Sequence, residues 1–550
     1  MSAMINQMQY KGRQEDWQFV NGPWETNEDG DIISPADSFW SMDDHKAFNI
    51  LNTYGDCEVS AKWQCHYAGG ANLELIVRAE DSRRYYSVKF SLQTSFPVAG
   101  HDLYIMTGIW KGSSDGYRRM VAYRKKSGFY SPKDPYKWYD VKVICEGPEI
   151  SVYFEDNFVC AVRDEDYPEG FVGVACSEGK GAWKGLTVEG RPAALQRKWK
   201  LIESRTPMLF RIAGDSGVTD KQHGVAATLL SGDEILVSFA GSDKDKRYVT
   251  RSADYGTSWE KPVLGRSGCY VRSLGEVWSV ERKNRPGVTW QDSVFNFDEL
   301  IMDNFWFELS RSKDDGRTWG APEKMSIPFP DGKAYEARKG KAGSALFTYA
   351  SPPLELSDGS IIIMAFWRNS PDGAYTSDQV QCLRTTDGGR TFSIYPVDAS
   401  NWEGNESTCI QFPDSSLFCV MRSNYSNFCW GSNSYDFGKT WSRVRPLIPF
   451  FGSSFPSALL TRNGVLVLAT RGLGIFTSTD RGITWKMPVY TGGYTGSGEG
   501  ANLLEMKDGR ILIISSTHGN APDGHARIMG QFIRVDEKGE VHPALPGIDK

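Results

Sequence analysis

The stretch Ser434-Tyr-Asp436-Phe-Gly438-Lys-Thr440-Trp441 decides the fold, because it recurs. The same phrase, Ser/Thr-x-Asp-x-Gly-x-Ser/Thr-aromatic, stands at Ser252/Asp254/Gly256/Trp259, Ser312/Asp314/Gly316/Trp319, Thr385/Asp387/Gly389/Phe392 and Ser478/Asp480/Gly482/Trp485. Consecutive aspartates are 60, 73, 49 and 44 residues apart. Each constant position has a task in a tight turn between strands. The Asp side chain accepts bonds from nearby backbone amides, the Gly takes a positive φ, and the aromatic anchors the next strand in the core. Five copies between residues 252 and 485 make an internal repeat.

A second repeat runs in step with the first: a strand, a turn built on Asp-Gly or an equivalent, and a strongly apolar strand. Its copies are Leu229–Phe239, Leu356–Met364, Phe412–Met421, Leu460–Leu468 and Met506–Ile514. The unit is then strand, Asp-Gly turn, strand, loop, strand, Asp-x-Gly turn, strand, which is a four-stranded propeller blade. Six blades are expected, near 207–262, 263–322, 340–398, 399–448, 449–488 and 489–543. The second lacks a clear Asp-Gly turn and the sixth lacks the Asp-x-Gly phrase. Ring closure is expected to use a strand from 199–206.

Residues 1–195 lack both repeats but alternate apolar and polar residues over Cys57–Tyr67, Leu73–Ala79, Tyr85–Leu92, Tyr139–Cys145, Glu149–Phe154, Phe158–Val162 and Gly170–Ala175. The fold class is therefore all-β: an antiparallel β-sandwich over 1–195, a linker over 196–206, and a six-bladed β-propeller over 207–550. Aromatic residues at 13%, with 56 Gly and 26 Pro, suit many short strands and turns. The net charge of −6 gives no reason to expect nucleic acid or an anionic membrane as partner. No apolar run approaches the roughly 18–20 residues of a membrane span. The start Met1-Ser-Ala-Met-Ile-Asn-Gln7 does not read as a signal peptide. The ten cysteines form no CxxC pair and read as free thiols, which points to a cytoplasmic location. There is no GxxxxGK[ST], HExxH, GxSxG or Cys/His zinc spacing, so no cofactor or metal is expected; calcium is not indicated.

In such a blade the start of the first strand and the end of the second share one rim, while both kinds of turn lie on the other. Ligands of propellers gather where inner strands converge, so the first rim is the candidate site. Counting back from the turns places His223, Tyr349, Asn405-Glu406-Ser407, Ser454 and Glu499 there. Counting forward places Arg368, Arg422, Arg471 and His518, with Asp243 and Asp245 after the second strand of blade one. Three arginines in one register match the acceptor geometry of a carboxylate ligand.

The five phrases, together with Asn405-Glu406-Ser407 and Arg422 sixteen residues after Glu406, resemble the sialidases (neuraminidases), in which such turns are called Asp boxes. The resemblance implies a glycoside hydrolase that removes an acidic sugar from a glycan. It implies Glu406 as the glutamate that polarises a catalytic tyrosine, an aspartate acid/base, and Arg422 and Arg471 as carboxylate arginines. Phe210-Arg211-Ile212 resembles the family's opening phrase, yet Arg211 lies 22 residues before Asp233, and His223 holds the expected register. The third arginine is then Arg368 or Arg211. The tyrosine register holds Glu499, with Tyr494 just upstream and Tyr349 on another blade. Within residues 1–195, Trp138–Val143, Ile150–Asn157 and Gly170–Val174 resemble concanavalin-like (laminin-G-like) sandwiches, which implies a sugar-binding or a packing module.

Hydrolysis needs one group to protonate the leaving oxygen and another to attack or to activate water. Asp245 or Asp243 is the expected acid/base, Glu406 the base partner of a tyrosine or water, and Glu499 a further rim carboxylate. His223 and His518 are expected to bond sugar hydroxyls. Two other classes stay open: a lyase or unusual glycosidase on uronic-acid glycan, with His or Tyr abstracting a proton, and a non-catalytic glycan-binding protein.

Overall fold

Every Ser-x-Asp-x-Gly phrase closes a hairpin. In the copy at 434–441, Asp436 Oδ1 accepts the Thr440 amide at 2.8 Å and Oδ2 accepts the Thr440 hydroxyl at 2.6 Å. The Ser434 hydroxyl donates to Oδ1 at 3.0 Å while accepting the Gly438 amide at 2.9 Å. The other four copies repeat this network. In all five the Ser or Thr stands opposite the residue that opens the second strand or directly follows its turn: Ile235, Val277, Ile361, Leu417 and Leu466. The phrase therefore sets the register as well as the turn.

The computed structural model describes residues 7–9, 17–20, 24–26, 32–33, 45–65, 72–93, 103–114, 117–130, 137–178, 181–194, 198–202, 210–213, 225–240, 246–281, 299–302, 304–328, 335–338, 346–347, 351–369, 377–397, 404–422, 428–449, 456–470, 474–490, 502–516 and 528–546. These residues contain no helix. The chain forms two compact units: a first, Met1–Leu209 with Met487–Tyr494 and Thr517–His525, and a second, Phe210–Lys486 with Thr495–Ser516 and Ala526–Lys550.

The second unit is the six-bladed propeller. Blades one to four are antiparallel sheets running Ala226–Leu229 to Val263–Leu264, Cys269–Val271 to Glu323–Pro328, Leu354–Glu355 to Ser393–Pro396, and Ser407–Gln411 to Arg445–Pro449. Blade five has Ser457–Leu460, Leu466–Thr470 and Gly474–Ser478. Blade six has Asn502–Glu505, Ile511–Ser516 and Ile528–Val535. Its outer edge is shared by Val541–Ala544 and by Phe210–Ala213, the strand that opens the unit. The ring is thus closed by 210–213; of the expected segment 199–206, Trp199 instead packs on Phe48 and Phe171, Ile202 exchanges hydrogen bonds with Ser82, and 203–206 lie outside the described residues.

Blades two and six replace the missing phrases. In blade two Gly275, at φ 63°, turns the chain between the first two strands. In blade six Asp536 Oδ1 accepts the amides of Lys538 and Glu540 at 2.9 and 2.8 Å, and Gly539 takes φ 77°.

The turns also join blade to blade. Arg251 of blade one donates to Asp315 O at 2.6 Å; Arg311 of blade two donates to Gly388 O and Gly389 O at 3.0 and 2.9 Å. Arg445 of blade four reaches Gly482 O at 2.9 Å, and Thr477 of blade five reaches Gly539 O at 2.7 Å. At Gly389, φ 80°, an added Cβ would stand 2.5 Å from the Trp278 ring of blade two, so both backbone conformation and close approach require glycine.

In the first unit the core lies between two layers and holds Trp63, Trp183, Phe90, Phe154 and Tyr139. One layer orders Trp17–Val20, the start of His45–Cys65, Gly170–Glu178, Asn72–Ala79, Tyr86–Gln93, Leu103–Gly112 and Arg118–Tyr130, with Val489–Tyr490 paired to Arg118 and Arg119. The other orders Asn157–Arg163, Glu149–Phe154, Tyr139–Glu146, the end of His45–Cys65 and Gly181–Pro192. Because the 21-residue strand His45–Cys65 serves both layers, the expected sandwich is one sheet folded over into a nearly closed barrel.

Candidate active site

Blade four builds the best-defined corner of the first rim. Its opening hairpin turns at Phe412–Ser416, where Asp414 Oδ1 accepts the Ser416 amide at 3.1 Å and Ser415 takes φ 71° in place of a glycine. Ser416 and Arg481 hold the Asp414 carboxyl down at about 2. The tight turn fixes the register of Ser407–Gln411 against Leu417–Arg422, with Ser407 opposite Met421. The ladder continues one step further: the Asn405 amide donates to Arg422 O at 3.0 Å and the Arg422 amide to Glu406 O at 2.9 Å.

Glu406 and Arg422 consequently face each other across the strand pair. Arg422 Nη1 donates to Glu406 Oε1 at 2.7 Å. Asn405 Oδ1 accepts the Glu406 amide at 2.7 Å, which pins the backbone from which Glu406 projects. Asn405 and Glu406 are 3% and 8% exposed. The Arg422 side chain, 18% exposed, makes this one side-chain hydrogen bond among the described residues. Its Nε and second amino group remain as donors, the fork that a planar carboxylate engages. Those donors are available to an acceptor at the rim.

Cys429 completes the corner and was not singled out from sequence. It stands opposite Arg422 on the third strand, fully buried. Burial pushes its thiol well above the ordinary value, with Arg422 opposing and Glu406 reinforcing. Its place was countable: Ser434 of the repeat pairs with Leu417, and stepping back from Ser434 while stepping forward from Leu417 sets Cys429 against Arg422.

The remaining expected residues are placed less fully. Arg368 lies near the end of Ile361–Asn369, opposite Asp378, at the blade-three position corresponding to the Arg422 end of blade four. Arg211 is exposed on the closing strand Phe210–Ala213, opposite Met529 at the rim end of blade six. His223, Asp243, Asp245, Tyr349, Arg471, Tyr494, Glu499 and His518 lie outside the described residues. The described strand ends beside them, Ala226, Ala240, Thr470, Asn502 and Ser516, are the starts of first strands or the ends of second strands. Among the described residues no group of three His, Cys, Asp or Glu could hold a metal ion.

No protein-family model and no curated protein matches the chain. Solved structures do. A leech intramolecular trans-sialidase complexed with 2,7-anhydro-Neu5Ac is 12% identical, with a TM-score of 0.41, over 88% of this chain and 95% of that one. The NanB sialidase from Streptococcus pneumoniae gives the same identity and TM-score over 88% and 95% of the two chains. A protein of unknown function from Dyadobacter fermentans is 17% identical, with a TM-score of 0.47, over 62% and 99%. Sialidases are structural neighbours of this chain. At these identities the architecture rests on the strand pairings above, and residue roles rest on the geometry of blade four.

Proposed function

We propose that the chain is a glycoside hydrolase that releases a carboxylate-bearing sugar from a glycan in the manner of a sialidase. The observation that carries the reading is the Arg422–Glu406 couple: a guanidinium oriented by a carboxylate at 2.7 Å, with donors to spare, at a rim corner of a propeller. Arg422 receives the sugar carboxylate, and Arg368, Arg471 or Arg211 adds further charge. Glu406 serves as the base that polarises a tyrosine, Tyr349 or Tyr494, or a water at the anomeric centre. Asp243 or Asp245 protonates the leaving oxygen, and Glu499 adds a rim carboxylate. His223 and His518 bond the sugar hydroxyls. A cytoplasmic location is proposed alongside, on the thiol content of the sequence.

The test is a panel of aryl glycosides of N-acetylneuraminic acid, its deaminated analogue, Kdo and uronic acids, assayed with wild type and Glu406→Gln. Hydrolysis of an acidic glycoside that falls by about three orders of magnitude or more in Glu406→Gln supports the reading. Release of an unsaturated uronate would instead make the protein a lyase. Binding without turnover would make it a glycan-binding propeller.

A further inference from the structure

Two buried cysteines stand face to face in the first unit. Strand His45–Cys65 runs antiparallel to Tyr139–Glu146, and the register sets Cys57 directly opposite Cys145. Both side chains enter the same core cluster, so both sulfurs lie on one side of the sheet. Directly opposed residues of an antiparallel pair have Cα atoms about 4.5–5.5 Å apart, inside the roughly 4.4–6.8 Å that a disulfide spans. Both are free thiols, 6% and 1% exposed.

A buried guanidinium stands beside them. Arg78 is 1% exposed and takes φ 52°, a left-handed conformation that a non-glycine residue adopts at a cost. It donates to Gly147 O at 2.6 Å and to Gly55 O at 3.4 Å, which ties the turn after Cys145 to the chain just before Cys57. Exposed Asp56 lies 3.8 Å from Nη2, while Nη1 is buried without a hydrogen-bond partner. A positive charge with an unused donor is thus held next to the thiol pair.

The two thiols are not equivalent. The hydrogen bond from Cys57, helped by the Arg78 charge, holds the Cys145 thiol below its ordinary value against the pull of burial and of Asp56. The same bond, together with burial, pushes the Cys57 thiol well up. The thiolate is the reactive form, so Cys145 is the nucleophile and Cys57 keeps its proton for a second step. Cys409 and Cys419 of blade four are also directly opposed, which makes them a contrast. There burial pushes both thiols well up, and neighbouring thiols add to the rise.

We propose that Cys57 and Cys145 are a modification site, oxidised by a hydroperoxide to a reversible disulfide that latches the crossover of His45–Cys65 to the hairpin at Gly147. The oxidant is small because the pair is nearly closed to solvent. The Cys145 thiolate attacks one peroxide oxygen, the O–O bond breaks, and the departing hydroxide takes up the proton that Cys145 released. The Cys57 sulfur then attacks the sulfenic sulfur of Cys145. The S–S bond forms, and the hydroxyl leaves with the Cys57 proton as a second water. Each sulfur gives up one electron and the peroxide takes both.

The experiment treats the full-length protein with hydrogen peroxide, then denatures it, alkylates it with iodoacetamide and maps its peptides by mass spectrometry. A cross-linked pair of peptides carrying Cys57 and Cys145 is expected, lost on treatment with dithiothreitol, while Cys409 and Cys419 are alkylated. In Cys57→Ser nothing resolves the sulfenic acid, so dimedone should label Cys145; in Cys145→Ser it should leave Cys57 unlabelled. Arg78→Met should slow formation of the disulfide about tenfold or more. In calorimetry the oxidised first unit should melt several degrees above the reduced one, a shift absent in Cys57→Ser. If Arg78→Met does not fold, the two dimedone arms decide. The proposal is overturned if no link between Cys57 and Cys145 forms, if Cys409 and Cys419 oxidise as fast, if dimedone labels Cys57 and not Cys145, if a folded Arg78→Met reacts at the wild-type rate, or if oxidation leaves the melting of the first unit unmoved.

Discussion

Arg422 and Glu406 hold each other in place in that corner. Removing one partner therefore perturbs position as well as chemistry. Arg422→Lys keeps the charge but loses the fork, and should raise KM for an acidic glycoside about tenfold or more while leaving kcat less affected. Initial-rate kinetics check this, and equal effects on kcat and KM would contradict it. The aspartates of the repeat titrate in one direction. Burial opposes ionisation of Asp254, Asp436 and Asp480, but hydrogen bonds from Ser258, Thr440 and Thr484 overcome it and hold all three carboxyls below the usual range. A depressed folded value contributes stability that is fully present above the unfolded value, near pH 4, and is lost as pH falls through the folded one. Acid unfolding of the propeller should therefore set in below about pH 4, and Asp436→Asn should flatten the slope of stability against pH there. Urea melts between neutral and acid pH measure that slope. The pair Glu406/Arg422 was legible because a hairpin register can be counted from a turn. His223, Asp243, Asp245 and Glu499 lie outside the described residues, so sequence places them by number and not by geometry.

At the scale of the element, the repeat phrase serves as turn, register mark and joint. The turn and register were readable, because Asp, Gly and an aromatic at fixed offsets have local causes. The joint was not, because Arg311 meets Gly388 and Gly389 across 77 and 78 residues, and nothing local announces it. Gly389→Ala should cost about 2 kcal/mol or more through a strained φ and a clash with the Trp278 ring. Urea denaturation of the full chain checks this. The closing strand 210–213 was missed for a related reason: four residues carry too short a pattern to show that they pair with Ile528–Gly530. Ile212, 5% exposed, packs in a cluster with Ile528 and Phe532 of blade six. Ile212→Asp would bury a charge there and open the ring, with a loss of at least about 3 kcal/mol. A propeller transition that does not shift in calorimetry would show that closure does not depend on this strand.

For the molecule as a whole, six blades in one register turn residues far apart along the chain into neighbours on a rim. Blade two adds a feature that sequence did not indicate: Glu299–Met302 pairs with Tyr335–Arg338. The first segment leads into the third strand of the blade and the second follows its fourth, so this small sheet stands at the rim of the candidate site. In the first unit, alternation revealed individual strands but not that His45–Cys65 passes between layers, because an alternating pattern reads the same on either side of the change. The central claim is that Arg422 at the rim of blade four reads the carboxylate of the substrate sugar. The most direct measurement compares kcat/KM for an acidic aryl glycoside and its methyl ester, in wild type and in Arg422→Met. Wild type is expected to prefer the acid by at least about a hundredfold, and Arg422→Met to lose most of this preference. Equal rates on acid and ester, or a preference that survives the loss of Arg422, would contradict the claim.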